Sequence, residues 1–217
     1  MLLNSDTEVH PGLFASLVGF MDTHPEAGAC GPMLINGDGS LQPSCHPVLT
    51  PWREFWRLTF LDWFFPLAHY PLRQWGTVES REVEVIKGAC LVLRRIALDE
   101  VGFLDSSYFM YTEEMDLCFR LRQSGWKLYW VPEGRVTHYG EGSSRQVAEE
   151  MYVQLYRSKV QFHRKFGGDK RARYFKRLLT LAYVPRLLVT AVTQLVHAPH
   201  RRLNHTYRRL LAELPCM

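Results

Sequence analysis

Residues 83–138 read "VEVIKGACLVLRRIALDEVGFLDSSYFMYTEEMDLCFRLRQSGWKLYWVPEGRVTH", and the fold class turns on this stretch. It opens as a strand interrupted by Gly88-Ala89. Small residues inside a strand mark either a bulge or a place where a ligand or another backbone comes close. "RRIALDEVG" predicts a short helix ended by Gly102, and "GFLDSSYFMYT" a loop. Leu117, Cys118 and Leu121 then form the apolar stripe of a second helix, with Asp116 and Arg120 one turn apart as an ion pair. Thr112 is placed to cap this helix and Gly125 to end it. "KLYWVPEGRVTH" predicts a strand, a Pro132-Glu133-Gly134 turn, and a short strand with His138 at its end. Strands alternating with helices predict an α/β or mixed domain.

Upstream, "MLLN" reads as a short buried strand running into the polar loop "SDTEVHPG". Apolar residues at Leu13, Leu17, Phe20 and Met21 keep a helical period until "HPEAG" breaks it. "ACGPMLI" and "SLQPSC" flank "NGDG", whose residues tolerate positive φ, which predicts a hairpin. Residues 51–75 are rich in aromatics, among them Trp52, Trp56, Phe60, Trp63 and Phe64. Two readings stand for them: a core-facing helix followed by a loop, or a surface that meets an amphiphilic substrate or lipid.

The chain has 217 residues, is 47% hydrophobic and carries a formal charge of +4, which allows one substantial domain with a packed core and argues against disorder. Its five cysteines, Cys30, Cys45, Cys90, Cys118 and Cys216, form no CxxC pair, so neither a disulfide framework nor a zinc knuckle is suggested, and a reducing compartment fits. The opening residues show no basic region followed by an apolar stretch.

Charge is unevenly spread. "RKFGGDKRARYFKR", from Arg164 to Arg177, holds seven basic residues and one acid. "LLTLAYVPRLLVTAVTQLVHA" follows, long enough to cross a bilayer. Yet Tyr183, Arg186, Thr190, Thr193, Gln194 and His197 recur at steps of three and four, and Leu181, Val184, Leu188, Ala191 and Leu195 line the other side. That pattern favours a helix lying in a membrane interface with basic neighbours attracted to anionic lipid, over a spanning helix or an ordinary core or partner-binding helix. Pro185 predicts a kink in any of them.

The acids of "YTEEMD" admit two explanations. Negative side chains at a helix N-terminus gain about a few tenths of a kcal/mol each from the helix dipole. Three of them in one turn also repel, which raises one carboxyl's pKa and leaves it able to accept a proton. Asp6 and His138 fall at two strand ends, where α/β sheets present ligand groups, although an Asp there also serves as a cap and a His as a satisfied polar group.

In order and spacing, "LLNSDTEVHPG", "GACGPMLINGDGSLQPSC" and the segment from Val85 through "HYGEGSS" closely resemble the second half of family 2 glycosyltransferases, particularly the rhamnosyltransferase-like group of bacterial cell-surface polysaccharide synthesis. The resemblance runs from residue 1 to about Phe166. It implies a GT-A fold, α/β and Rossmann-like, and inverting transfer of a sugar from a nucleotide-diphosphate donor. The family's aspartate motif falls on "NSD", so Asp6 would hold a divalent Mg or Mn bridging the donor phosphates. Asn4 replaces the motif's first carboxylate, and His138 looks like a further metal ligand. The family's Glu-Asp pair corresponds to Glu113-Glu114, with Glu114 the general base and the choice between the two open. Gly88 and Ala89 resemble small residues lining the acceptor side, and Asp116 is grouped with the donor- or acceptor-binding residues. A hydroxyl nucleophile needs a carboxylate to take its proton, and a diphosphate leaving group needs its charge offset.

Residues 1–163 are therefore expected to form the acceptor-side and metal-binding part of a glycosyltransferase, and 164–217 a basic amphipathic helical tail. Relatives begin with a nucleotide-binding half, so the chain is expected to be truncated or split at its N-terminus. The expected partners are a nucleotide-diphosphate sugar, with dTDP-rhamnose suggested by the subgroup, a lipid-linked or polysaccharide acceptor, and a membrane surface, but no nucleic acid. The expected location is cytoplasmic, peripheral on the inner face of the plasma membrane. Two other readings stand: a non-catalytic fragment or partner subunit that only binds, and a membrane-surface adaptor.

Overall fold

The computed structural model describes residues 1–140, 148–194 and 198–217. In chain order the elements are β1 (Leu2–Leu3), β2 (Thr7–Val9), α1 (Leu13–Thr23), β3 (Ala27–Ile35), β4 (Leu41–Gln42), β5 (Cys45–His46) and α2 (Pro51–Leu58). After two 3₁₀ turns come β6 (Arg81–Glu82), β7 (Val85–Ile86), β8 (Cys90–Leu93), α3 (Arg95–Val101), α4 (Glu113–Gln123), β9 (Lys127–His138), α5 (Ala148–Thr193) and α6 (Ala198–Glu213). They divide into two compact units: a sheet unit of Met1–Val48, His69–Ser107 and Glu113–Gly142, and a helical unit of Leu49–Ala68, Tyr108–Thr112 and Ser143–Met217. The division differs from the boundary at 163 drawn from charge, because residues 148–163 of α5 bury Val153, Tyr156 and Val160 in the helical unit's core.

The sheet unit is built on β3, buried over all but its last residue, as the apolar run "AGACGPML" requires. It pairs in parallel with β9 and antiparallel with β8, giving the order β1-β8-β3-β9-β2, with β4 also on β3 and β6 on β9. Leu13, Leu17 and Met21 of α1 pack with Cys30, Leu34, Val131 and Val136. The "NGDG" hairpin forms, pairing Leu34 with Gln42 and Ile35 with Leu41. Tyr70 and Trp75 join this unit, where Trp75 meets the buried Trp130 with ring centroids 5.5 Å apart.

Three expectations differ from what is found. β1 is half-buried at Leu2 and exposed at Leu3 instead of buried. Pro132-Glu133-Gly134 does not reverse the chain: β9 runs through it, and the register with β3 slips between Pro32↔Val131 and Met33↔Arg135. Gly134 lies under α1, where a Cβ would come within 3.0 Å of Leu13 Cδ1, so the glycine serves a close helix approach. Thr112 has a left-handed φ of 76°, preceded by Tyr111 at 66°, in place of the extended backbone usual for an N-cap.

Gly31 is the tightest point of the sheet. A Cβ there would meet Ile86 Cγ2 at 2.3 Å and the Cys90 carbonyl oxygen at 3.2 Å. Gly31→Ala is expected to cost about 1–3 kcal/mol, as overpacking does. Urea unfolding should show a lower midpoint at unchanged slope.

In the helical unit, α5 breaks at Gly168 (φ 68°, ψ −178°) and the helix continues through Pro185, so the interruption lies where glycine allows it and not at the proline. The stripe read as polar faces inward. Tyr183 is fully buried and donates to Tyr156 Oη at 2.6 Å, Arg186 donates to the Leu58 carbonyl, and Thr190 accepts from Asn204 of α6 at 3.1 Å. The apolar stripe is outside, with Leu181 63% and Leu188 64% exposed. His197, Leu195 and the Gly/Ser loop at 141–147 lie outside the described residues. Among the described residues, no helix is long and apolar enough to cross a membrane.

Candidate functional site

The antiparallel register of β2 with β9 sets Thr7 opposite His138, which brings positions more than a hundred residues apart together at one sheet edge. Asp6 Oδ1 lies 3.3 Å from His138 Nε2, and Asn4 Nδ2 lies 3.4 Å from the same nitrogen. His138 Nδ1 is 2.7 Å from Gln42 Oε1. The Gln42 amide nitrogen donates to Asn36 Oδ1 at 2.7 Å and to the His138 carbonyl, which fixes its oxygen toward the ring. The proton therefore sits on Nδ1, and Nε2 presents its lone pair beside the Asp6 carboxylate. An acceptor orienting the far nitrogen of an imidazole is how metal-binding histidines are held. Gln42 was not singled out in the sequence; its only signal there is its place on the returning arm of the "NGDG" hairpin.

Glu113 and Glu114 open α4, in the same unit. Gly88 lies against Glu114, such that a Cβ at Gly88 would be 3.6 Å from Glu114 Cβ. The glycine's neighbour Ala89 accepts a hydrogen bond from the Asn4 backbone N–H at 3.0 Å. Gly88-Ala89 thus lies between the β1–β2 turn carrying Asn4 and Asp6 and the helix carrying the acid pair. Burial, and next the charge of Glu113, push the Glu114 carboxyl up to about 7; backbone N–H groups at the helix start and the Lys87 ammonium act against them. Burial in turn lowers the Lys87 pKa, and Lys87 is a second residue the sequence reading passed over. Glu113 Oε2 is buried with no hydrogen-bond partner among the described residues.

Asp116 stands apart from these groups. It is fully buried and accepts from Arg120 Nε at 2.7 Å, and Arg120 donates onward to the carbonyls of Val101, Gly102 and Phe103. The ion pair expected from the i,i+4 spacing forms, and its geometry ties α4 to the end of α3. Its carboxylate is thus engaged by Arg120, where the resemblance grouped it with the donor- or acceptor-binding residues.

A divalent ion would find one carboxylate and one imidazole here. Among the described residues no group of three or more His, Cys, Asp or Glu side chains clusters. Two protein ligands suit an ion whose remaining positions are filled by substrate phosphates and water, as is usual for Mg, and the Nε2 lone pair beside a carboxylate suits it further. The residues present therefore fit such an ion.

The model for "Glycosyl transferase family group 2" matches residues 1–203. An N-acetylglucosaminyl-diphospho-decaprenol L-rhamnosyltransferase of Mycobacterium tuberculosis is 32% identical over 158 residues, covering 64% of this chain and 46% of that protein. The O-antigen biosynthesis protein RfbC of Myxococcus xanthus is 28% identical over 188 residues, covering 83% of this chain and 14% of the relative. The rhamnosyltransferase WbbL of Escherichia coli is 35% identical over 63 residues, covering 29% and 24%. Among solved structures, GalNAc-T7 with UDP, GalNAc and Mn²⁺ matches 75% of this chain and 34% of its own at 17% identity and a TM-score of 0.45. The chain spans less than half the length of these relatives. With the family model matching most of its residues and a mixed α/β sheet carrying the motifs that resembled such enzymes, the chain belongs to glycosyl transferase family group 2.

Proposed function

We propose that this chain forms the acceptor-side and metal-binding part of an inverting glycosyltransferase that moves a sugar from a nucleotide-diphosphate donor to a lipid-linked or polysaccharide acceptor in cell-surface glycan synthesis. The observation that carries this is the raised Glu114 carboxyl beside Gly88, joined through Ala89 to the Asp6–His138 pair. A carboxyl with a pKa near 7 is matched to accepting the proton of an acceptor hydroxyl near neutral pH. Glu114 takes that role, and Glu113 holds its proton affinity up. Asp6 and His138 would hold Mg or Mn, whose charge offsets that of the donor diphosphate. Gln42 keeps the His138 lone pair free for it. The names of the relatives support rhamnose as the sugar and a polyprenyl-diphosphate-linked sugar as acceptor, and dTDP-rhamnose is the donor proposed with them.

The exposed apolar stripe of α5 and its basic neighbours support attachment of the 164–217 tail to an anionic membrane surface, on the inner face of the plasma membrane. There it would meet an acceptor with a polyprenyl anchor.

Mn²⁺ together with a nucleoside diphosphate is expected to raise the melting temperature of the protein, because a ligand that binds only the folded state stabilises it by mass action. Asp6→Ala and His138→Ala should each remove most of that shift, and Gln42→Leu part of it. An undiminished shift in Asp6→Ala and His138→Ala would refute the proposed ligands.

A further inference from the structure

Tyr108–Thr112 leads into the acid pair and belongs to the helical unit, while Glu113 is the first residue of α4 in the sheet unit. Tyr111 and Thr112 are both left-handed, a conformation that neither side chain favours, and Thr112 lacks the extended backbone from which an N-cap starts a helix. Backbone held in this way persists only where its surroundings impose it. The start of α4 is therefore fixed from outside α4.

Ser158 of α5 supplies the hold. It is fully buried, and its Oγ donates to the Met110 carbonyl at 2.7 Å. A serine inside a helix commonly turns its hydroxyl back on the carbonyl four residues before it. Here the one hydroxyl proton goes to the segment ahead of α4 instead, and the groups behind Ser158 fix that direction. Arg157 has only donors, and its Nη1 lies 3.3 Å from Gln154 Oε1, so the Gln154 amide nitrogen faces Ser158 Oγ, 3.1 Å away. Ser158 accepts from that amide and is left to donate to Met110. Arg157 is in turn paired with Glu213 at the end of α6, at 2.8 Å. Two residues before Met110, Tyr108 is buried, with the Lys165 ammonium 5.9 Å from its ring centroid. Two side chains of α5 therefore grip the segment, one at Tyr108 and one at Met110.

We propose that Ser158 is a positioning residue for the acid pair: by holding the Met110 carbonyl it keeps Tyr111 and Thr112 left-handed, and so sets the backbone from which Glu113 and Glu114 project. The proposal rests on the reading of Glu114 as general base and adds the group that holds it in place. Ser158 acts on the carboxyls only through the backbone of residues 110–112, too short a run to absorb a released anchor without moving the first turn of α4. A displaced base loses rate steeply, since a shift of about 1 Å costs on the order of a hundredfold.

The test uses Ser158→Ala, with Ser158→Cys as a variant of similar shape whose S–H donates only weakly. In the full chain, the amide protons of Leu117 and Cys118, whose helical acceptors are the Glu113 and Glu114 carbonyls, are expected to exchange about tenfold faster in Ser158→Ala and less so in Ser158→Cys, with the Leu121 amide unchanged. In the assembled enzyme Ser158→Ala should lower turnover about ten- to a hundredfold while leaving the melting shift given by Mn²⁺ and a nucleoside diphosphate intact. It should cost nothing further in the Glu114→Gln background, because both changes disable the same group. Unchanged exchange at Leu117 and Cys118 overturns the proposal. So does faster exchange that extends equally to Leu121, which marks general loosening, and so does a turnover loss of the same size with and without Glu114→Gln, which puts the effect elsewhere. Full turnover in Glu114→Gln, with faster exchange at Leu117 and Cys118 alone in Ser158→Ala, refutes Glu114 as the base and leaves Ser158 as the anchor of the first turn of α4.

Discussion

Glu114→Gln in the assembled enzyme is expected to lower turnover about a hundred- to ten-thousandfold, the usual loss when a positioned general base is removed, with donor affinity unchanged. The amide keeps the shape of the carboxyl and cannot take a proton. Its pH dependence is as diagnostic as its size. Burial and the Glu113 charge raise the Glu114 carboxyl to about 7, so turnover should rise with pH through about 7 as the base ionises, and the residual activity of Glu114→Gln should lack that limb. Stability runs the other way. A carboxyl raised from 4.5 to about 7 on folding favours the fold most below 4.5, and that contribution is lost as pH rises through about 7. Glu114→Gln should flatten the stability profile over that window. Turnover that survives in Glu114→Gln and falls in Glu113→Gln would move the role to Glu113.

Glu54→Ala is expected to destabilise the helical unit by about 3–5 kcal/mol, the cost of removing one partner from a buried ion pair. Glu54 is 3% exposed and accepts from Arg57 Nη2 at 2.6 Å and from Lys159 Nζ at 2.8 Å, linking α2 to α5. Burial acts to raise its pKa, but the charges of Lys159 and Arg57 and their hydrogen bonds outweigh it and hold the carboxyl at about 2. The sign is that of a depressed acid: its contribution is present above 4.5 and lost as pH falls toward about 2. Urea unfolding followed by the helical signal at pH 7 and pH 3 should show a smaller penalty for Glu54→Ala at the lower pH. A penalty under about 1 kcal/mol at neutral pH would mean that the network sets geometry without stabilising the unit.

What could be read from the chain followed the range of each signal. Local rules held where the deciding contacts are local. The "NGDG" turn closed its hairpin, Gly102 ended α3 at a φ of 82°, and Asp116 found Arg120 one turn away. Long-range placement was not legible. Nothing in the spacing says that Gln42 would orient His138, because that follows from β4 pairing with β3 and β3 with β9. The turn read into Pro132-Glu133-Gly134 failed because a β3 partner and an overlying α1 held the backbone extended, and tertiary packing outweighed turn propensity. For α5, periodicity separated two faces correctly and left open which one was inward. Tyr183 went inside to meet Tyr156, on the other side of the Gly168 break in α5, and Thr190 to meet Asn204 of α6, while leucines stayed in contact with solvent. Of the candidate site, Asn4, Asp6 and His138 lie together, Gly88 lies against Glu114, and Asp116 pairs with Arg120.

Two consecutive residues with side chains, Tyr111 and Thr112, keep φ values of 66° and 76° immediately before the acid pair. Conformations of that kind cost about 1–3 kcal/mol each and persist only where their surroundings impose them. A glycine at 112 would release that tension and make the polypeptide more heat-resistant, while letting the first turn of α4 wander and the carboxylates with it. Selection for thermal tolerance alone would therefore be expected to erode catalysis at this joint first, and a laboratory lineage evolved for robustness should reveal the trade by acquiring glycine there.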